Sequence, residues 1–455
     1  DRRMILRDGI GSSESTAKYF ADTLPKLAAE RMTGADRDTR LAALRKASAE
    51  AAAAYRAFRT FVATTYCADA ACKTIKPAFA ADAYAMGEAD YNWALKNNLR
   101  LSENAATLFE QAWPVVESTR SQMVKLAREI GAAKHWTLPA EDGPAVRAVF
   151  DQLSKDFPKS DAEMVSWYRD AAFRLVEFAR RTGLFDVPAE YKLDVTETPP
   201  PLEASIDGAA YYPAPPFKNT GVGRFYVTPT HNDLAALQSN NRAAIADLSA
   251  HEGFPGHDWY YKVMTKYRDL ISPVRWLTPG AVEDSSSMWE DSLSAEGWGL
   301  YAEALMAEPQ ADAPNGFYTP EEHLYQLQGQ LYRDLRVRID TGLHTGRLTY
   351  DAATTLFSEV VDFLPGSCQA PGLAGAKRAS CDAAERAIFR YSKWPTQAIT
   401  YRLGKAQIYA LREEAARTLG AAFSAKAFHL AFIRQGTIPS GYFKDALFAE
   451  LKSGK

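Results

Sequence analysis

The chain lacks several features that mark common classes of protein. Among its 455 residues, 53 basic and 56 acidic side chains leave a net charge of −3, so it lacks the basic excess of a large nucleic-acid interface. No stretch approaches the roughly 18 consecutive apolar residues of a membrane span. It contains neither the G-x-S-x-G elbow of serine hydrolases nor the G-x-x-x-x-G-K-S/T loop of phosphate-binding proteins. We therefore expect no nucleic-acid partner, no transmembrane span and neither of those two chemistries.

Cysteine is scarce, and the four cysteines form two local pairs in the sequence. Cys67 and Cys72 flank a short Ala-Asp stretch, and Cys368 and Cys381 bracket a Gly/Pro/Ala loop. Neither pair has the C-x-x-C spacing of a zinc or redox motif. The even count favours two short-range disulfides, which form in an oxidising compartment, over four thiols in a cytosolic protein. Because Asp1 is not an initiator methionine and no signal peptide follows, we expect a periplasmic or secreted chain cut from a longer precursor.

The sequence predicts a mainly α fold with a small central β-sheet. Apolar residues are 47% and charged residues 24%, close to the average of globular proteins. Residues 1–190 contain Ala-rich segments with helical periodicity, such as 163–182, which ends at Gly183. The proline-rich stretch that follows contains GRFYVTP at 223–229, which predicts a strand, and its flanking prolines predict an edge strand. We expect helical regions at 1–190 and 191–455 to form the two sides of a deep cleft, or one continuous domain.

Histidine is also scarce, with seven in the chain, and residues 251–257 (HEGFPGH) contain two of them. Zinc peptidases commonly show H-E-x-x-H, because residues four apart lie on one helix face and both imidazoles reach one metal. His251 and His257 are six apart, so an ideal helix would point them about 120° apart. By spacing alone, the segment resembles a helix that ends at Pro-Gly with two ordinary polar histidines.

Pro255 and Gly256 change this expectation. Proline lacks an N–H and its ring clashes with the preceding turn, so the helix must kink or bulge. Glycine removes the steric limit on how the chain does so. A locally unwound helix would bring His257 back beside His251, with Glu252 placed to take a proton from a metal-activated water.

An apolar helix downstream offers a third metal ligand. In SAEGWGLYAE, residues 294–303, Glu296 and Glu303 are seven apart and therefore lie on nearly the same helix face. Glutamate in an apolar setting is rarely buried without a partner, and a metal or a metal-bound histidine would be one. The alternative is two solvated carboxylates on an outer face.

Together these motifs resemble the domain-of-unknown-function family 885, which is grouped with the helical zinc peptidases of the gluzincin type. H-E-x-x-P-G-H followed by E-G-W-x-L-Y-A-E carries the resemblance. Segments LRDGI at 6–10, LRVRIDTGLH at 335–344, PTQAITYRLG at 395–404 and the C-terminal Phe428-His429 are similar as well. The resemblance therefore covers essentially the whole chain. Because family members usually carry a further helical region before this point, we expect a missing N-terminal part that would be the place for a lipid anchor.

The resemblance implies a zinc centre with a defined set of roles. His251, His257 and Glu296 would bind the zinc ion, and Glu252 would be the general base. Glu303 would orient one of the ligands.

Four further residues are candidates for catalysis or substrate binding. Arg336 matches the motif and would hold a peptide carboxylate, or would pair with Asp340 as a structural ion pair. His344 would donate to a tetrahedral intermediate or cap its helix, and Tyr401 would be an oxyanion donor or a core tyrosine with a satisfied hydroxyl. A peptide would add to the free edge of strand 223–229, where Tyr226 is the expected contact.

These observations predict a zinc-dependent metallopeptidase that hydrolyses short or unfolded peptides, with exopeptidase action (carboxypeptidase or dipeptidase) favoured by the resemblance. One alternative is a non-catalytic, peptide-binding pseudopeptidase of the cell envelope. Another is a structural or surface lipoprotein whose histidines only order a kinked helix. The intact Glu252 favours the enzyme, because a binding protein needs no general base.

Overall fold

The computed structural model of the chain describes residues 1–200, 202–203, 206, 208–214, 222–272, 275 and 292–453. Its backbone contacts divide the chain into two units, Asp1–Ala85 and Met86–Lys455. The arrangement expected from the sequence, with 1–190 and 191–455 as two sides of a cleft or as one continuous domain, stays a prediction. Contacts continue across residue 190, because the helix at Asp161–Thr182 packs against the strand at Asp194–Glu197.

The first unit is built from four α-helices and two π-helical stretches. The helices are α1 (Arg2–Met4), α2 (Ser13–Lys18), α3 (Leu24–Arg31) and α4 (Arg37–Tyr66), with π-helix at Ile5–Ser12 and Tyr19–Thr23 and a 3-10 turn at Pro77–Phe79. Ile10 and Val62 form a small buried cluster with the disulfide between Cys67 and Cys72.

The second unit holds the remaining helices and the sheet. Its helices are α5 (Glu88–Asn97), α6 (Ala105–Ala133), α7 (Asp142–Leu153), α8 (Asp161–Thr182), α9 (Leu234–Ser239), α10 (Ile245–Leu248), α11 (His257–Lys266), α12 (Ser292–Met306), α13 (Pro320–His344), α14 (Tyr350–Val361), α15 (Gly375–Lys393), α16 (Thr400–Leu419), α17 (Ala425–Arg434) and α18 (Lys444–Ser453). Short 3-10 turns lie at Arg268–Leu270, Gly420–Ala422 and Ser440–Tyr442. No helix of the described ranges combines the length and the apolar character needed to cross a bilayer. The mainly α fold with a small sheet is confirmed.

Local sequence signals explain where several of these helices begin and end. The predicted helix at 163–182 corresponds to α8, which begins after the N-cap Ser160 and ends at Gly183 in the left-handed conformation that favours glycine. Helix α13 begins with a capping box, in which the Thr319 and Glu322 side chains exchange hydrogen bonds with the backbone. The second cysteine pair also forms a disulfide, between Cys368 and Cys381.

Among the described residues, the sheet has three strands in the order β1 (Asp194–Glu197), β3 (Arg224–Val227) and β2 (Ala209–Tyr212). Strand β3 pairs in parallel with β1 and antiparallel with β2. The prediction that this strand is an edge strand is therefore wrong. Pro229 lies beyond the ladder, so it removes no hydrogen bond from either side of β3. The outer strands are β1 and β2.

An aromatic core joins the sheet to the helices that carry the histidine and glutamate motifs. Trp259 of α11 stacks on Trp298 of α12 at 5.8 Å, and Trp298 stacks on Phe432 of α17 at 5.7 Å. Helix α12 also packs against α16 at Gly297 and Gly404, where a Cβ atom on Gly297 would lie 2.6 Å from the Gly404 Cα. The two backbones therefore approach more closely than side chains would allow.

Candidate metal centre

The helical path is interrupted between the two motif histidines. After α10, residues Ser249–Gly253 form a π-helical turn that contains His251, and α11 begins at His257. The interruption brings the two imidazole rings to a centroid distance of 4.9 Å, nearly perpendicular to one another. Both side chains are buried. The kink expected at Pro255-Gly256 thus replaces the 120° divergence that an ideal helix would impose.

The close backbone approach at this interruption requires Gly256. A Cβ atom on Gly256 would overlap the carbonyl oxygens of His251 and Ala250. Any larger residue would therefore push the two histidine segments apart. The glycine in the motif sets the separation of the histidines.

Helix α12 adds a carboxylate to the two imidazoles. Glu296 Oε2 lies 3.3 Å from His251 Nε2 and 3.4 Å from His257 Nε2, and the three ligand atoms all lie within 4.8 Å of one another. Two atoms that each lie about 2.1 Å from a tetrahedral zinc ion are about 3.4 Å apart. Two imidazoles and one carboxylate also match the protein ligands of catalytic zinc sites. The three residues therefore fit a divalent metal ion in both spacing and chemistry.

Glu303 lies on α12 seven residues, or about two turns, after Glu296, and it contacts His251 on the side away from Glu296. Its Oε1 accepts a 2.6 Å hydrogen bond from His251 Nδ1 and lies 3.5 Å from the Arg333 guanidinium. Burial and the charge of Glu303 raise the pKa of Asp247 well above its ordinary value, and Asp247 is hydrogen-bonded to Glu303. Glu303 is thereby held in one orientation, which fixes the plane of the His251 ring and leaves Nε2 directed at Glu296.

The two carboxylates determine the charge of His251 in the metal-free chain. Burial lowers the pKa of His251, but its hydrogen bonds to Glu296 and Glu303 outweigh burial and raise the pKa to about 10. Burial opposes ionisation of Glu296, whereas the hydrogen bonds from both histidines hold its pKa well below the ordinary value. An anionic Glu296 faces a cationic imidazole, so the pocket already favours positive charge.

Glu252 lies beside the three ligands and next to the outer strand β2. Burial raises the pKa of Glu252, and the neighbouring His251 and His257 and a hydrogen bond from the Tyr211 backbone N–H oppose that rise. The Tyr211 side chain is hydrogen-bonded to Asp258, the first residue after His257. Tyr211 therefore ties β2 to both parts of the interrupted helix.

Tyr401 on α16 contacts the ligands from another direction. Its hydroxyl donates a 3.0 Å hydrogen bond to Glu296 Oε1, and its ring stacks on His251 at 6.2 Å. Burial and the Glu296 charge raise the pKa of Tyr401 to about 12, so the hydroxyl stays protonated and remains a donor. The structure thus brings Tyr401 to the ligands, as a catalytic role requires.

Three other predicted residues have different surroundings. Arg336 lies next to Tyr401, with its guanidinium 4.7 Å from the ring centroid. Asp340 instead accepts from Tyr91 and from the Thr396 backbone N–H, so the described contacts of Asp340 do not include the predicted ion pair with Arg336.

His344, at the end of α13, is fully buried and has its described contacts away from the three ligands. Its Nε2 donates to the Tyr391 carbonyl at 3.0 Å, and its ring stacks on Tyr91 at 5.8 Å. These contacts fit a structural role at the helix end.

Tyr226 faces away from the side of the sheet that carries Phe225. Residues alternate between faces along a strand, and Phe225 is buried in the core whereas Tyr226 is only half-buried and contacts the Tyr212 ring edge-on at 5.5 Å. Tyr211, the residue paired with Phe225, is the one that reaches Glu252. Because β3 lies in the middle of the sheet, Tyr226 is not on the free edge that the expected peptide contact requires.

Sequence reasoning missed Asp247 and Arg333, which shape the centre. They come from two separate helices, α10 and α13, and neither carries a motif that points to the histidines. One signal was available for Arg333, since it lies three residues before Arg336 and so one turn away on the same helix face.

The chain shares its sequence pattern with a known family. The sequence pattern described as "Bacterial protein of unknown function (DUF885)" matches residues 2–370 and 373–447. No protein of curated function matches the chain. Two solved structures are similar in fold, each of a protein described as a candidate lipoprotein. The one from Shewanella oneidensis has a TM-score of 0.65 at 21% identity, covering 94% of this chain and 70% of its own. The one from Colwellia psychrerythraea has a TM-score of 0.69 at 19% identity, covering 98% and 68%.

Proposed function

The chain belongs to the DUF885 family of bacterial proteins of unknown function, and we propose that this member is a zinc-dependent peptidase acting on short or unfolded peptides. One observation carries the proposal. Two buried histidine nitrogens and a glutamate oxygen lie within 4.8 Å of one another, close enough to bind one ion, and a second glutamate, Glu252, lies beside them. A site that only bound metal would have no use for that adjacent base.

In this proposal His251, His257 and Glu296 hold the metal, and the surrounding residues supply the proton chemistry. A zinc ion bound there would polarise the scissile carbonyl and lower the pKa of a water molecule. The Glu252 carboxylate takes a proton from the attacking water and passes it to the leaving amine nitrogen. The Tyr401 hydroxyl, which stays protonated, donates to the oxygen on which negative charge develops.

The outer edge of β2 is the proposed binding surface for the peptide backbone. Within the described part of the chain, β2 pairs with β3 on one side only, and the backbone N–H of Tyr211 hydrogen-bonds to Glu252. An extended peptide added at this edge would place its own carbonyl groups near the metal ligands. The peptide-binding mode expected from sequence is retained, with β2 in place of β3.

We propose that the protein works in the cell envelope or outside the cell. Both cysteine pairs are disulfides, which persist in oxidising compartments. The two proteins of similar fold are described as candidate lipoproteins, which agrees with an envelope location.

Metal content and peptide cleavage test the proposal together. Zinc per chain is measured by plasma mass spectrometry after removal of free metal, for the wild type, for His257→Ala and for a control, His231→Ala, whose side chain is 74% exposed. We expect about one zinc in the wild type and the control, almost none in His257→Ala, and cleavage of a peptide library that follows the zinc content. Absence of zinc from the wild type after zinc is added back would overturn the proposal. Bound zinc without cleavage would leave the non-catalytic peptide-binding protein.

A further inference from the structure

Two arginines approach the metal centre on the side of Tyr401. Arg336 comes from the middle of α13 and Arg390 from the last turn of α15. Arg336 lies beside the Tyr401 ring, and Arg390 interacts electrostatically with Tyr401, Glu296 and Arg336. Among the described residues, neither guanidinium forms an ion pair with a carboxylate, and Asp340 interacts with Arg336 through its charge alone.

Arg336 is held in a cage of aromatic rings. Its guanidinium lies 4.2 Å from the ring centroid of Tyr332, 4.7 Å from that of Tyr401 and 5.3 Å from that of Tyr391. The residue is only 9% exposed, and its guanidinium is hydrogen-bonded to Tyr332, but its Nε has no partner among the described residues. A buried cation with an unused donor is costly unless an anion completes its coordination.

Other arginines of the same unit are balanced by carboxylates. Arg333 lies 3.5 Å from Glu303, and Arg402 lies 2.9 Å from Asp334. The pair at Tyr401 differs because its two members carry like charge, and the nearby Glu296 is already shared by both metal-site histidines. The arrangement therefore leaves positive charge for a ligand to neutralise.

We propose that Arg336 and Arg390 bind the C-terminal carboxylate of the peptide substrate. Guanidinium groups hold a carboxylate through paired hydrogen bonds, which a planar terminal carboxylate satisfies from two sides. The strand edge and the arginines approach the metal ligands from different residues. Tyr211 of β2 contacts Glu252, whereas Arg336 contacts Tyr401. A peptide lying on β2 would thus pass the metal ligands and end at the arginines. The inference rests on the proposed peptidase and makes it an enzyme that removes residues from the C-terminus.

Peptide binding to the metal-free protein tests the inference without requiring catalysis. The protein is stripped with chelator and titrated calorimetrically with N-acetyl-tetra-alanine, either as the free acid or as the C-terminal amide. We expect the free acid to bind at least tenfold more tightly, because charge-assisted paired hydrogen bonds are lost in the amide. A third peptide, an amide with one glutamate side chain, distinguishes a terminal from a side-chain carboxylate and should bind like the plain amide.

Three variants assign the preference to these arginines. Arg390→Gln alters an exposed side chain and Arg336→Lys keeps the buried charge while removing the planar fork. Both should lose the preference for the free acid. Arg386→Gln, at an exposed arginine one turn earlier on α15, should keep it. Circular dichroism confirms that each variant is folded, and the exposed Arg390 carries the test if Arg336→Lys does not fold.

The outcomes separate this inference from the proposed function. Equal binding of acid and amide, or no binding of either at millimolar concentration, would overturn the carboxylate site whether or not zinc supports hydrolysis. A preference for the glutamate amide would assign the arginines to an acidic side chain instead. A preference for the free acid without hydrolysis by the zinc-loaded protein would keep the site and overturn only the peptidase.

Discussion

His251 in the metal centre and His429 in the aromatic core are both buried histidines with two hydrogen-bonded neighbours, yet they differ in charge. His251 lies between Glu296 and Glu303, which raise its pKa to about 10 against the effect of burial. At His429 burial lowers the pKa to about 3, and the hydrogen bond to the Leu184 carbonyl only partly opposes this. Two neighbouring carboxylates therefore favour positive charge at His251, whereas the neutral hydrogen-bond partners of His429 do not offset the effect of burial.

The largest expected effect concerns the base beside His251. Glu252→Gln keeps the shape of the side chain but cannot accept a proton. We expect peptide hydrolysis to fall by about 10²–10⁴-fold while zinc content stays the same. Rates with an internally quenched peptide measure the loss, and Glu413→Gln, at an exposed glutamate of α16, is the matched control. An unchanged rate for Glu252→Gln would show that Glu252 is not the general base. The metal centre would then lack the proton chemistry that is meant to distinguish it from the aromatic core.

A smaller effect is expected from the carboxylate behind His251. Glu303→Gln retains a hydrogen-bond acceptor for His251 but removes the charge that holds Arg333 and orients the ring. Zinc affinity should fall by roughly 10–100-fold, as is common when an outer partner of a metal ligand is altered. Competition with a chelating dye measures the affinity, and thermal unfolding checks the fold. Equal affinity would mean that Glu303 contributes to packing alone.

The smallest effect is expected at His429 and depends on pH. Its pKa is lower in the folded protein than the ordinary value of 6.5, so the unfolded chain binds more protons below pH 6.5 and acid destabilises the fold. His429 should therefore lower the free energy of unfolding by about 1 kcal/mol between pH 6.5 and 5.5.

His429→Gln lacks this proton and isolates the contribution. Urea unfolding of the metal-free wild type and the variant at both pH values gives the difference between their pH dependences. The variant should bind zinc as the wild type does, because His429 contacts Tyr301 and Leu184 rather than the ligands. If the free energy of unfolding depended on pH equally in the two proteins, the lowered pKa of His429 would be contradicted. A loss of zinc from His429→Gln would contradict the distinction between His251 and His429.

Structural features that depend only on residues close together in the sequence could be predicted from it. Helix α8 is readable because its apolar spacing and its Gly183 stop lie within one segment. The ligand candidates His251 and His257 could be predicted because Pro255 and Gly256 lie between them and force the chain to depart from a helix.

Pairing across distant segments could not be read in the same way. Strand β3 was predicted to be an edge strand because prolines flank it, and its partners at Asp194–Glu197 and Ala209–Tyr212 carry no sequence signal that assigns them to its two sides. Likewise Asp247 and Arg390 reach the centre only through the packing of α10 and α15, and no spacing within the sequence encodes that distance.

The glycine contact between α12 and α16 has a consequence for protein engineering. Glu296 and Tyr401 belong to these two helices, and their relative position depends on backbones that touch at Gly297 and Gly404. Transplanting the centre onto another scaffold would therefore require both helices with their shared glycines, since grafting the H-E-x-x-P-G-H segment alone would bring the histidines without the glutamate that completes them.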